Sequence, residues 1–455
     1  METDIVRKKL KLCEMTYLYP NYNKGQHLVV SNLTGATVLV DDEMLDILLR
    51  LKEMPLSLSD LPTESRRRDI EKLYESRIVI DVDQDGFKLM KEHIEKIKLR
   101  DELDVMPVVT TQCNLACPYC FEEKTNEYMD YDVIKQTVNH VVQRIEKENI
   151  HHLYVGLFGG EPLLNEDGCR EFIIELIEAT NKRNVETKFA LITNGTLITK
   201  NFMSFISRLD SFFVQITIDG PAEVNDKRRI FKNGNGTYDI LINNMISLSK
   251  YVTKLIIRIN VDNSNINSIP SLITNLKKVG LDKENVFIDL ERVMANTYKN
   301  RFYSAQCISP DNYNEAILPY VLEFRKNGFK TLFRERNRIR PIYCWAYTGK
   351  HIAITPNGDI YTCLDGISDK RFVVGNVWND PPYNEKFNEW KEFNPMNFEK
   401  CAHCSIVGFC GGGCGAEAIA KYGSLKKEPV CSQDKKTYIG GSVLPSDLRR
   451  IFLQK

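Results

Sequence analysis

The sequence predicts an α/β protein built on a partial (β/α)6 barrel, with a small winged-helix-like unit before it and a cysteine-rich domain after it. Three observations carry this. Strand-like and helix-like patterns alternate over six units from about residue 105. A short run of strands, then helices, precedes them. Beyond Arg340 regular periodicity gives way to Gly, Cys and short polar turns. At 455 residues the chain has room for two or three domains. The divisions fall at 1–82, a charged linker with a helix at 83–104, the barrel at 105–335, the cysteine-rich domain at 336–435 and a tail at 436–455.

In the first unit, short strands are expected at 16–19, 27–30 and 37–40. A helix follows the Asp41–Asp42 cap, with Met44, Leu45, Leu48 and Leu49 on one side. A second helix carries Ile70, Leu73 and Tyr74, and a last strand covers 78–80. Barrel strands are expected at 106–110, 153–157, 188–192, 213–218, 255–261 and 286–290. Helices lie between them, for example at 131–147, 167–181 and 240–250, and a helix at 313–325 closes the region. In such a barrel the functional groups gather at the strands' C-terminal ends. The cysteine-rich domain is expected to be stapled by metal and to hold little regular structure.

Composition narrows the classes. The chain is 43% hydrophobic and 27% charged, with zero net charge, so the total implies no polyanion-binding surface. No stretch approaches a membrane span, and the N-terminus has no apolar run of signal-peptide length. A cytoplasmic protein is expected, in which clustered cysteines read as metal ligands rather than disulfides. Ten of the thirteen cysteines are clustered. Cys13, Cys169 and Cys307 read as ordinary thiols.

Cys113, Cys117 and Cys120 lie in CNLACPYCFE, directly after the first barrel strand. Three thiolates leave a fourth metal position open to a substrate or cofactor. Phe158-Gly159-Gly160-Glu161-Pro162 ends the second strand, where glycines allow close backbone approach and Glu161 offers an acceptor for an ammonium group. Thr193 and Asn194 end the third strand. Gln215, Thr217 and Asp219 share the inner face of the fourth, with Val214, Ile216 and Ile218 facing outward. Arg258 and Asn260 repeat that pattern on the fifth strand, and Leu290 ends the sixth.

The three-cysteine loop and its neighbours resemble the radical S-adenosylmethionine (SAM) enzymes, whose core is a TIM-like partial barrel. The resemblance implies a [4Fe-4S] cluster on Cys113, Cys117 and Cys120. The Gly159-Gly160-Glu161 turn would hold the SAM amino group, Thr217 and Asp219 the ribose region, Arg229 the carboxylate, and Leu290 the adenine. Tyr119, inside the loop, becomes a further SAM contact. Later in the chain, Cys344, Cys363, Cys401, Cys404, Cys410, Cys414 and Cys431 are similar in order to the SPASM extension of peptide-modifying radical SAM enzymes. That likeness implies two auxiliary [4Fe-4S] clusters, three clusters in all. Cys401, Cys404, Cys410 and Cys431 would hold the distal one, and Cys344, Cys363 and Cys414 the proximal one. The proximal set is one thiolate short, as in thioether-forming members, unless Cys307 fills it.

The first unit resembles the recognition element of RiPP maturases (enzymes that modify ribosomally made peptides). The resemblance implies that a precursor's leader peptide adds as a strand to an exposed sheet edge, near residues 37–40. The function expected from the whole is a peptide maturase that forms a cysteine thioether, with a ferredoxin- or flavodoxin-type electron donor and no nucleic-acid or membrane partner. Carbon–carbon crosslinking, epimerisation and sulfatase maturation are the alternatives. For the last, Leu364 rather than Asp follows Cys363, and Asp365 comes one residue later. A zinc-stapled DNA-binding regulator is a distant alternative, whose basic run Arg66-Arg67-Arg68 sits among acids.

Overall fold

The structure is a computed structural model that describes residues 8–295, 297, 299–333, 339–367, 369–404 and 406–431. The tail expected over 436–455 lies outside the described residues. Among those described, no helix is long and apolar enough to cross a membrane.

The N-terminal strands are β1 (Leu10–Leu12), β2 (Thr16–Asn23), β3 (Gln26–Ser31), β4 (Thr37–Val40) and β5 (Val79–Asp81). Strands β2, β3 and β4 form an antiparallel sheet in that order, which leaves β4 at an edge. An unexpected pair, β1 with β5, ties the start of the unit to its end. The helix Asp42–Glu53 starts where Asp41 accepts a hydrogen bond from the Met44 amide at 2.9 Å. It buries Met44, Leu45, Ile47, Leu48 and Leu51. Leu49, expected on that side, is 41% exposed. At 3.6 residues per turn it falls about 140° from Met44, beyond the edge of the stripe.

The charged stretch after this unit is a joint rather than a free linker. Helix Gly86–Lys98, capped by Asp85, sinks Met90 and Ile94 into an apolar cluster with Cys13, Met15 and Ile80. The same cluster takes Met396, Cys404, Val407 and Cys410 from the far end of the chain. Leu28 and Val30 of β3 pack on Phe409. The Gly408 amide donates to Asn32 Oδ1 at 3.2 Å, and a Cβ on Gly408 would meet the Asn32 carbonyl oxygen at 1.9 Å. Gly408→Ala should therefore overpack the joint at a cost of about 1–3 kcal/mol, read as a lower thermal midpoint. An unchanged midpoint would show that the two segments part easily.

Strands β6 (Glu102–Thr110), β7 (His152–Gly159), β8 (Glu186–Thr193), β9 (Phe212–Thr217), β10 (Lys254–Val261) and β11 (Val286–Arg292) run parallel in sequential order. A short parallel β12 (Lys330–Thr331) adds a seventh strand at one edge. Val214 and Ile216 of β9, Ile218 beyond it, and Ile257, Ile259 and Val261 of β10 are fully buried in the outer core. Their alternating polar neighbours turn inward.

The last domain departs from the expectation of little regular structure. Strand β13 (His351–Ile354) pairs parallel with β6. Strands β14 (Asp359–Tyr361) and β15 (Val373–Asn376) follow antiparallel, so the barrel sheet grows to ten strands. A tight turn joins β13 to β14: the Gly358 amide donates to the Thr355 carbonyl, with Gly358 at φ +82°. The domain is thus welded to the barrel through backbone hydrogen bonds.

Candidate functional site

Strand β6 ends at Thr110, whose Oγ1 donates to the Glu127 carbonyl at 2.7 Å and accepts from the Gln112 amide. Between those anchors the cysteine loop bulges over the barrel. Two backbone bonds clamp it to the segment after Arg229: Ala116 N to Ile230 O at 2.8 Å and Lys232 N to Asn114 O at 3.1 Å. Asn194, at the end of β8, donates to Asn114 Oδ1 at 2.7 Å and to Cys113 Sγ at 3.7 Å.

Cys113, Cys117 and Cys120 share one wall of a cavity of about 250 Å³. Gly159 and Gly160 form a second wall. Cβ atoms there would meet the Thr110 and Gln112 carbonyl oxygens at 2.1 Å each, and Gly159 sits at φ +138°. Only glycine permits this approach. Thr193 and Asn194 line the cavity beside them, and Gln215, Thr217, Arg258 and Asn260 point in from β9 and β10. Tyr119 and Arg229 complete that side. Among the described residues the buried Arg229 Nε has no hydrogen-bond partner, while its Nη1 donates to the Tyr119 hydroxyl at 2.8 Å.

Three expected contacts do not reach the cavity. Glu161 is fully buried and accepts from Thr193 Oγ1 and the Asn194 amide, both at 2.7 Å, and from the Leu163 amide at 3.0 Å. Burial pushes its carboxyl up and those donors oppose the shift. Its acceptors are spent on shaping the turn. Asp219 is also fully buried. It accepts from the Tyr119 hydroxyl at 2.5 Å, Arg228 Nε at 3.3 Å and the Asn260 amide at 3.1 Å, so it positions Tyr119 and Arg228. Leu290 registers with Ile259 on the outer face and joins the main core. The inward positions of β11 are Asp289, which pairs with Arg258 at 2.6 Å, and Glu291.

Other cavity residues escaped the sequence reading. Glu122 and Lys124 follow the cysteine loop, Arg292 ends β11 with Val293 and Met294 just beyond it, and Asp365 arrives from the last domain. The signal for Glu291 was the parity of β11, where acids alternate as polar residues do on β9 and β10. Asp365 was noted in the sequence only as an acid two residues after Cys363, and nothing local placed it in the cavity.

The remaining cysteines fall into two neighbourhoods. Cys401, Cys404, Cys410 and Cys431 line one small void with Ile406 and Val407. Burial first, then the neighbouring thiols, pushes Cys401 up to about 12 and Cys410 up to about 11. Cys363 lies beside Asp365, Cys344 and Cys414, and burial raises its thiol well above the ordinary range. Tyr347, stacked on Phe393 at 4.0 Å, feels the same three cysteines. Cys307 sits elsewhere, with its Sγ 3.6 Å from the Tyr303 carbonyl and Arg292 as neighbour.

Among the described residues no three His, Cys, Asp or Glu side chains converge as on a single ion. The cysteines instead ring spaces, which fits multi-iron clusters. Burial makes the thiolates of Cys113, Cys117, Cys363, Cys401, Cys410 and Cys414 costly, with Cys117 pushed up to about 11. Bound iron would offset that cost, since a metal ligand must be deprotonated. The unpartnered Arg229 Nε fits a carboxylate in the cavity.

Residues 107–274 match the radical SAM superfamily model, and residues 344–405 match the SPASM iron–sulfur cluster-binding domain. The chain is 25% identical over 327 residues to a cysteine-type anaerobic sulfatase-maturating enzyme of Clostridium novyi, covering 67% of this chain and 85% of that protein. It is 22% identical over 426 residues to the radical SAM cyclopropyl synthase TigE of Paramaledivibacter caminithermalis, covering 87% of each. Among solved structures, Streptococcus suis SuiB bound to precursor peptide SuiA shares the fold. The TM-score is 0.53 at 15% identity, covering 93% of this chain and 99% of SuiB.

Proposed function

We infer from a chain that is a radical SAM enzyme with a C-terminal SPASM domain that it is a peptide maturase, acting on a ribosomally made precursor to form a cysteine thioether. The observation that carries this reading is the three-cysteine set Cys344, Cys363 and Cys414, with Asp365 beside Cys363 opening into the SAM-type cavity. A cluster held there would keep one iron for a substrate thiolate. In the finer assignment, Cys113, Cys117 and Cys120 hold the first cluster and Cys401, Cys404, Cys410 and Cys431 the distal one.

When bound and reduced by a ferredoxin- or flavodoxin-class donor, the first cluster with SAM would supply a 5′-deoxyadenosyl radical that takes one hydrogen from a peptide carbon. This chain's residues bind and orient. Arg229 offers its free Nε to the SAM carboxylate, and Gly159 and Gly160 let the backbone approach the amino group. Thr193 and Asn194 supply polar groups beside them. Thr217, Arg258 and Asn260 face the ribose side. Tyr119 is held against them by Asp219 and Arg229.

The N-terminal sheet supports leader capture. Among the described residues strand β4 pairs only with β3, and Leu39 is 45% exposed, so a leader strand has an edge to extend. The reaction of full-length enzyme with SAM, reductant and a leader-bearing cysteine peptide tests the reading. The product should lose two hydrogens and keep its sulfur: one hydrogen goes to 5′-deoxyadenosine, and one proton and one electron are released. Leu39→Pro should slow the leader-bearing peptide about tenfold by removing one edge donor and leave a leaderless peptide unaffected. Equal slowing of both would remove the leader assignment.

A second reading is favoured by one observation: Asp365 lines the cavity, although Leu364 takes the position that holds the acid in sulfatase-maturing enzymes. Oxidation of cysteine to formylglycine would then be the reaction. Loss of sulfur from the product would decide for it.

A further inference from the structure

We propose that Asn300 is a positioning residue: by donating to both the Tyr119 and the Met294 carbonyls, it sets the wall beyond β11 against the loop on the SAM side, and so ties radical formation to productive hydrogen transfer. The inference rests on the peptide-maturase reading above.

Asn300 is fully buried. Its Nδ2 donates to the Tyr119 carbonyl at 3.1 Å and to the Met294 carbonyl at 2.7 Å. Its Oδ1 accepts from Thr297 Oγ1 at 2.8 Å and from the Thr297 amide at 3.3 Å. These partners fix the amide's orientation, because a flipped side chain would set its oxygen against two carbonyls. Tyr119 and Met294 both line the cavity, Tyr119 from the loop after β6 and Met294 from just beyond β11. In the sheet four strands separate β6 from β11, so strand pairing does not set the spacing of these two walls directly. Asn300 bridges them.

Tyr303 holds the same residue from another side. Its ring lies 6.1 Å from the Tyr119 ring, at 62°. Its hydroxyl donates to Asp262 at 3.0 Å and accepts from Arg228 at 3.1 Å. The Tyr119 hydroxyl is anchored separately, on Asp219 and Arg229. Asn300 grips the backbone instead, so it governs the spacing of the walls rather than the contacts to SAM. Hydrogen transfer to a 5′-deoxyadenosyl radical needs the donor carbon in near contact, and a small misplacement costs rate steeply. A radical that misses the peptide takes its hydrogen atom from buffer or reductant, and 5′-deoxyadenosine forms without product.

The test uses full-length reconstituted enzyme with SAM, reductant and a leader-bearing cysteine peptide, and reads 5′-deoxyadenosine formed per modified peptide. Asn300→Ala should raise that ratio severalfold. Asn300→Asp keeps the size and the Thr297 bonds but cannot donate to both carbonyls, so it should raise the ratio as well. Thr297→Ala leaves both donations in place and should stay near wild type. SAM affinity, read by calorimetry, should hold in all three; its loss in the Asn300 variants would make Asn300 part of the SAM pocket and overturn the proposal. So would an unchanged ratio in both Asn300 variants, the result of a purely structural role, which lowers both products together. If Asn300→Ala does not fold, Asn300→Asp decides. Amide hydrogen exchange without peptide should quicken around Tyr119 and Met294 together in the Asn300 variants, and quickening at one alone counts against the bridge. A wild type that makes 5′-deoxyadenosine but no modified peptide would sink the maturase reading itself, and the exchange result then decides for Asn300.

Discussion

Cys117→Ala should abolish formation of 5′-deoxyadenosine from SAM. Cys117 is the middle residue of the three-cysteine loop, and the two neighbouring thiols cannot hold a cluster that needs three ligands and an open site. Iron after anaerobic reconstitution should fall from about twelve to about eight per chain, the content of the two auxiliary clusters. The fold should persist, because the loop is clamped by Ala116 N to Ile230 O and Lys232 N to Asn114 O rather than by Cys117. Continued 5′-deoxyadenosine production would refute the ligand role. Zinc in place of iron in the wild-type protein would refute the enzyme as described.

Asp219→Ala carries the second large effect, on stability. The Asp219 carboxylate is fully buried and receives Tyr119, Arg228 and the Asn260 amide. Removing it takes one buried partner from Arg228, which keeps Asp262 at 2.7 Å, and strands the Tyr119 hydroxyl among arginines. Breaking a buried charged pair from one side costs about 3–5 kcal/mol, read as a drop in the denaturant midpoint. SAM affinity should weaken as well, since Tyr119 and Arg229 share this network. A stable variant with normal SAM binding would mean that the network is redundant.

The contrast between these residues marks what was legible. Gly159 and Gly160 stand on the cavity wall, as a glycine pair after a strand suggests, while Glu161 beside them turns its carboxylate into the protein. The motif located the turn, but the three donors that occupy Glu161 come from β7's end and β8's end together. Leu290 shows a different limit. Strand parity decides which residues face inward, and register with Ile259 and Asn260 fixes it. Choosing a residue by its place at the strand's end put it on the wrong face. The hairpin of β13 and β14 was signalled by Thr355-Pro356-Asn357-Gly358 between two apolar runs, yet its strands are too short for periodicity to weigh against so many glycines and cysteines.

The order of the parts, and the metal–sulfur chemistry they suggest, were legible in local pattern. Cysteine spacing, glycine pairs and two-residue alternation are local, and local pattern is enough to place a three-thiolate loop after a barrel strand and seven cysteines after the barrel. Folding in three dimensions was needed to show which polar groups face the cavity and which merely support it, that Asp365 lines the cavity, and that the N-terminal unit packs against the loop of Cys404 and Cys410. Those facts depend on contacts between segments hundreds of residues apart. Such contacts are selected by the joint packing of whole faces, and no single window of sequence contains both sides.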